Sequence, residues 1–219
     1  HSAPSSERRT EWDKGVSFVE FFVRYRTRLS QLAGVFFVGL CAFSGKKLEL
    51  SFPAAAEAMF AAGCLLAGLG AVGRIWCAQY IAGYKADRLI DKGPYSLCRN
   101  PLYFFSFLGA VGVGCCTESA TLALGVASAF ALTYPGVILS EEKDLLARFG
   151  DDYRRYMAAV PRFIPRLSLF AEPREYIVTP RVFRREVFDA VWFVWLAGLL
   201  ELLEVLGEAG ALPKLFWIY

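Results

Sequence analysis

The chain has 219 residues, with 24 Lys and Arg against 21 Asp and Glu and a formal net charge of +3. Hydrophobic residues make up 56% and aromatics 16%, above the roughly 45–50% apolar content of soluble domains; this excludes a disordered tail and a secreted disulfide scaffold and argues against an ordinary soluble globule. The charge is too small, and no Lys/Arg block stands alone, so nothing points to nucleic acid.

Residues 1–15 read as a flexible N-terminal segment, opened by His-Ser-Ala-Pro-Ser-Ser, which has the look of an expression remnant. Its His1 is the single histidine. Without it, Ser-His-Asp and Cys-His catalysis and His-ligated metal sites are excluded, and no metal is expected. Val16–Arg28 (VSFVEFFVRYRTR) either lies in the membrane interface, with Glu20 and Arg24 paired one turn apart, or extends the first span. No cleavable signal peptide is expected, because residues 8–28 are too charged for one.

A spanning helix needs about 20 mostly apolar residues. Five segments qualify as candidates: Leu29–Phe43, Pro53–Tyr80, Leu102–Cys116, Ser119–Leu139 and Val187–Leu206. Thr117 and Glu118 alone separate the third from the fourth, so these two form a tight hairpin. The expected fold is therefore all-α: one polytopic membrane helix bundle over residues 16–219, with about five transmembrane helices. All basic residues but Lys46, Lys47 and Lys214 fall on one face of that topology. The positive-inside rule makes this face cytoplasmic, placing the N-terminus inside and the C-terminus outside. Ala-, Gly- and Arg-rich usage points to a bacterial inner membrane.

Six cysteines, Cys41, Cys64, Cys77, Cys98, Cys115 and Cys116, show no C-x-x-C spacing and read as small packing residues. Gly68–Gly73 matches G-x-G-x-x-G, but inside a spanning helix. Small residues there, with Gly63, Ala67 and Ala71 at spacing four, read as a close helix-packing face.

Two cytoplasmic clusters carry more. In Lys92–Tyr103 (KGPYSLCRNPLY), Gly93-Pro94 and Asn100-Pro101 make turns, and Pro101 starts the third helix. Tyr95, Arg99, Asn100 and Tyr103 are thereby held at the membrane surface, either as a positive-inside anchor with interfacial tyrosines or as a site. The second cluster runs through Glu141-Glu142, then FGDDYRRY (149–156), then VPRFIP (160–165). Read as the end of the fourth helix, Glu141 and Glu142 oppose the helix dipole. Either they are solvated charges neutralised by Lys143, or they meet a positively charged or polyhydroxyl ligand.

GPYSLCRNPLY, a helical hairpin, and EEKDLLARFGDDYRRYMAAVPRFIP together resemble the isoprenylcysteine carboxyl methyltransferase and phospholipid methyltransferase group. The resemblance covers residues 74–166, a motif core beyond which the 187–206 helix is extra. It implies S-adenosylmethionine as cofactor, bound on the cytoplasmic side, and a lipophilic methyl acceptor arriving from the bilayer. It also implies cofactor contacts from Gly93, Pro94, Tyr95, Arg99, Asn100, Pro101, Tyr103, Glu141, Glu142, Tyr153, Tyr156 and Arg162. Arg99, Asn100 and Tyr103 are the residues implied at the reacting centre. Asn100 stands where the family pattern has histidine; asparagine donates and accepts hydrogen bonds but is no base near neutral pH.

Methyl transfer is an in-line displacement at an already activated sulfonium carbon, so the protein mainly positions the reactants. The lack of histidine favours a carboxylate or pre-ionised acceptor. The expected function is a membrane methyltransferase acting on an isoprenylcysteine carboxylate-like group or a lipid headgroup. The alternative is a non-catalytic lipid-binding or scaffold protein that keeps the fold.

Overall fold

The computed structural model describes residues 34–46, 51–82 and 88–218. The N-terminal segment, the 16–28 stretch and the first residues of the first expected span lie outside the described residues. Six helices follow in chain order: α1 (Gly34–Phe43), α2 (Pro53–Ile81), α3 (Pro94–Leu97), α4 (Pro101–Cys115), α5 (Ala120–Ala159) and α6 (Pro180–Glu208). Proline opens α2, α3, α4 and α6, where a missing N–H costs nothing.

Among the described residues, α2, α5 and α6 are each long and apolar enough to cross a membrane. The apolar helices α1 and α4 are shorter. At 15 residues, α4 spans only about 22 Å at 1.5 Å per residue. The hairpin after it is built as the sequence implies. Glu118 takes a left-handed backbone (φ 54°), Thr117 Oγ1 donates to Gly114 O (2.7 Å), and Ser119 Oγ caps α5 by accepting from Leu122 N (3.3 Å).

Helix α2 packs most extensively on α4 and next on α6. The α2–α4 contact is a seam of small residues. A Cβ on Gly63 would lie 2.7 Å from Gly112 O, one on Gly70 2.5 Å from the Gly109 backbone, and one on Gly112 2.7 Å from Gly63 O. Small-residue faces let backbones touch where apolar burial gives no drive to associate. Gly68, within the G-x-G-x-x-G match, meets nothing within 4 Å.

The all-helical reading holds, and two details add to it. Residues 44–46 and 216–218 form two three-residue strands, β1 and β2, paired in parallel with Ser44 opposite Phe216. This brings the ends of α1 and α6 to one end of the bundle. At the opposite end, Thr179 N donates to Ala82 O (3.2 Å), joining the start of α6 to the end of α2. Second, the fourth expected span does not stop near Leu139: α5 runs 40 residues, bending only at Gly150 (φ 53°, ψ −121°).

Candidate active site

The site begins with a buried carboxylate. Glu142, on the inward side of α5, is 5% exposed. Asn100 Nδ2 donates to its Oε1 at 3.0 Å, and Arg162 Nε donates to its Oε2 at 3.0 Å. Arg99 Nε lies 3.3 Å from Oε1, an ion pair whose N–H is not aligned for a hydrogen bond. Asn100 Nδ2 also reaches Arg162 O (3.1 Å). One carboxylate thus joins the start of α4, the middle of α5 and the chain that follows α5. A buried charge is tolerable when paired and hydrogen-bonded in this way.

Backbone lacing holds the same junction. Arg99 N donates to Pro161 O (2.8 Å), Arg166 N to Leu97 O (2.9 Å), and Gly93 N to Ala171 O (2.8 Å). Ser96 Oγ accepts from Ala171 N (3.0 Å). The VPRFIP segment therefore runs back along residues 97–99. Gly150 redirects the last turns of α5, and Tyr153 and Tyr156 become buried. Tyr156 donates its hydroxyl to Tyr95 O (2.6 Å).

Beside this junction opens a cleft of about 500 Å³, within the range of small-molecule sites. Of the residues implied by the resemblance, Tyr95, Arg99, Asn100, Tyr103, Glu141, Tyr153 and Tyr156 line it. Tyr103 donates to Glu141 Oε1 (2.7 Å). Burial, reinforced by the Glu142 charge, pushes the Tyr153 phenol up to about 12. Burial raises Tyr156 further above its ordinary range. Both phenols stay protonated at working pH and do not serve as bases.

The other implied residues sit behind the cleft. Gly93 faces the Tyr80 ring with a positive φ (61°), a place that admits no Cβ. Pro94 and Pro101 are buried at helix starts. Glu142 and Arg162 form the polar junction instead of lining the cleft. Two expectations are corrected. Glu141 and Glu142 do not end a helix, since α5 continues to Ala159, so no dipole opposes them. Nor does Glu142 await a cationic ligand, because Arg99 and Arg162 already pair with it.

The resemblance missed Arg74, Arg88, Tyr134, Asp144 and Arg148, all of which line the cleft. Glu141, Asp144, Leu145 and Arg148 share one helix face at spacings of three and four, a signal hidden once the helix was ended at Glu142. Among the described residues, no group of three or more His, Cys, Asp or Glu side chains is placed to hold a metal ion.

Residues 58–152 match the phospholipid methyltransferase family. The chain is 44% identical over 156 residues to the nickel-cobalt-cadmium resistance protein NccN of Alcaligenes xylosoxydans xylosoxydans, covering 71% of this chain and 73% of that relative. It is 42% identical over 150 residues to the cobalt-zinc-cadmium resistance protein CzcN of Cupriavidus metallidurans, covering 68% and 69%. No solved structure matches it. Its apolar helices and this match identify an integral membrane protein of a methyltransferase group. The chain belongs to the phospholipid methyltransferase family, whose isoprenylcysteine carboxyl methyltransferase-like members its motifs resemble.

Proposed function

We propose that the protein transfers a methyl group from S-adenosylmethionine to a lipophilic acceptor entering the cleft from the bilayer. The observation that carries this reading is the cleft itself, formed where the two motif clusters meet through Glu142. Its lining of tyrosines, arginines and carboxylates suits a ligand with an aromatic base, a ribose and an amino-acid end. Arg99, Tyr95, Tyr153, Tyr156 and Glu141 would hold that cofactor. Bound there, it supplies a methyl group on a positively charged sulfur. Tyr103, fixed on Glu141, then orients the acceptor, and the surrounding aromatic residues exclude water from the reacting atoms.

Asn100 uses its amide to tie α4 to Glu142 and Arg162 O, so its part is to position rather than to shuttle protons. This supports the catalytic reading over the non-catalytic alternative, which Asn100 alone would favour. The joined ends of α1 and α6, with the start of α6 beside the end of α2, suit five alternating crossings. We place the protein in a bacterial inner membrane with the cleft cytoplasmic. The names of the relatives bring metal resistance to this chain as a physiological setting for the methylated product.

Incubating the purified protein with methyl-labelled S-adenosylmethionine and a bacterial lipid extract tests the reaction. Label should enter the organic phase with the parent and fall at least tenfold with Arg99→Ala. Label that stays in the aqueous phase with folded parent protein would refute the reading.

A further inference from the structure

Arg74 sits on the spanning helix α2, seven residues before its end at Ile81, and faces the cleft. Its Nη1 donates to Ser106 Oγ, which in turn donates to Leu102 O (2.7 Å). Its guanidinium stands 5.9 Å from the Phe193 ring of α6. Its Nε is buried and has no hydrogen-bond partner. Among the described residues no carboxylate pairs with it. An arginine at membrane depth is costly and ordinarily meets a counter-charge or a water-filled path. The neutral hydroxyl and the aromatic ring hold Arg74 in place, but neither cancels its charge.

The cleft as a whole carries the same imbalance. Among the described residues four arginines line it, Arg74, Arg88, Arg99 and Arg148, against two carboxylates, Glu141 and Asp144. Just behind, the single carboxylate of Glu142 is shared by Arg99 and Arg162, which leaves the excess as it stands. S-adenosylmethionine brings two positive centres and one carboxylate, so cofactor binding deepens the positive excess. We infer that Arg74 is the anchor for a negatively charged acceptor, a long-chain carboxylate or phosphate, and so selects the acceptor's charge. This rests on reading the cleft as a methyl-transfer site.

Position and chemistry agree. Ser106 lies one turn deeper along α4 than Tyr103, about 4.5 Å at 1.5 Å per residue. Arg74 therefore meets a headgroup coming from the bilayer side, while Arg99 and the tyrosines hold the opposite end of the cleft. An ionised acceptor needs no base, which matches a cleft whose phenols stay protonated. Guanidinium also pairs with carboxylate and phosphate through two parallel N–H bonds.

The test is equilibrium binding of four fluorescent sixteen-carbon probes in neutral detergent: a carboxylate, a phosphate monoester, an alcohol and an amine. Each is measured with and without S-adenosylhomocysteine, whose own affinity is read by calorimetry. The parent should bind the better anionic probe at least tenfold tighter than the alcohol and reject the amine, and the better anion identifies the headgroup. Arg74→Gln should erase that preference while S-adenosylhomocysteine affinity stays within about threefold. Arg74→Lys should restore part of it. Ser106→Ala, a smaller change, should reduce it, which keeps the test decisive if Arg74→Gln fails to fold. Equal affinity of the parent for anion and alcohol, or a preference that survives Arg74→Gln, overturns the inference. If S-adenosylhomocysteine does not bind while the anion preference holds, the methyl-transfer reading falls and the anion site stands.

Discussion

Helix α4 takes part in two unlike contacts. Along its length, Gly109 and Gly112 meet α2 with no side chain between the backbones. At its start, Asn100 meets Glu142 through a chain of charge and hydrogen bonds. The first contact is set by volume and tolerates no addition. The second is set by charge and tolerates no removal. A membrane protein needs both, because inside the bilayer close packing replaces the hydrophobic drive, and a buried charge must carry its own partners. The glycine seam fixes where α4 stands, and the Glu142 junction fixes where its first turn points.

The largest expected effect comes from the charged contact. Glu142→Ala leaves Arg99, whose side chain is 7% exposed, without its partner, which typically costs about 3–5 kcal/mol. Thermal unfolding in detergent should show a collapse in stability, and Arg99→Met on the same background should recover part of it. On the packed contact, Gly112→Val puts a side chain against the Ala67 and Gly63 backbones. Overpacking of this kind costs about 1–3 kcal/mol or more. Here no second substitution on α4 should rescue it, whereas the charge defect is rescuable. A rescue pattern the other way round would break the comparison.

Two smaller changes sharpen it. Gly150→Ala meets no neighbour within 4 Å, so its cost comes from the backbone conformation alone, about 1–3 kcal/mol. It should weaken S-adenosylhomocysteine binding by displacing Tyr153 and Tyr156, more than it lowers the unfolding temperature. Tyr156→Phe removes one hydrogen bond to Tyr95 O, worth about 0.5–1.5 kcal/mol. The raised Tyr153 phenol also gives a pH signature. The folded state holds its proton while the unfolded state loses it, so stability should fall as pH rises from 10 towards about 12. Between pH 6 and 9 the phenols contribute no slope. Unfolding midpoints measured from pH 6 to 12 check both statements.

The sequence shows the packed contact well, since glycine and alanine at spacing four inside an apolar run admit few other readings. It shows the charged contact only in part. The adjacent pair Glu141-Glu142 stands out, but which of the two turns inward depends on helix phase, about 100° apart, and on α5 continuing past them. Ending the helix there also hid Asp144 and Arg148. The pairing of residues 44–46 with 216–218 is invisible in sequence, because three-residue backbone pairs across that separation carry no side-chain pattern. Arg74 was visible only as one of the basic residues assigned to the cytoplasmic face; its place in the cleft depends on how α2 meets α4 and α6.

Calorimetric titration of S-adenosylhomocysteine into the purified protein in detergent tests the central claim most directly. The parent should bind one equivalent saturably, and Glu141→Gln, which leaves the Glu142 junction intact, should weaken that binding about tenfold, or 1.4 kcal/mol. Absence of any binding heat with folded parent protein, or equal affinity of parent and Glu141→Gln, would contradict it.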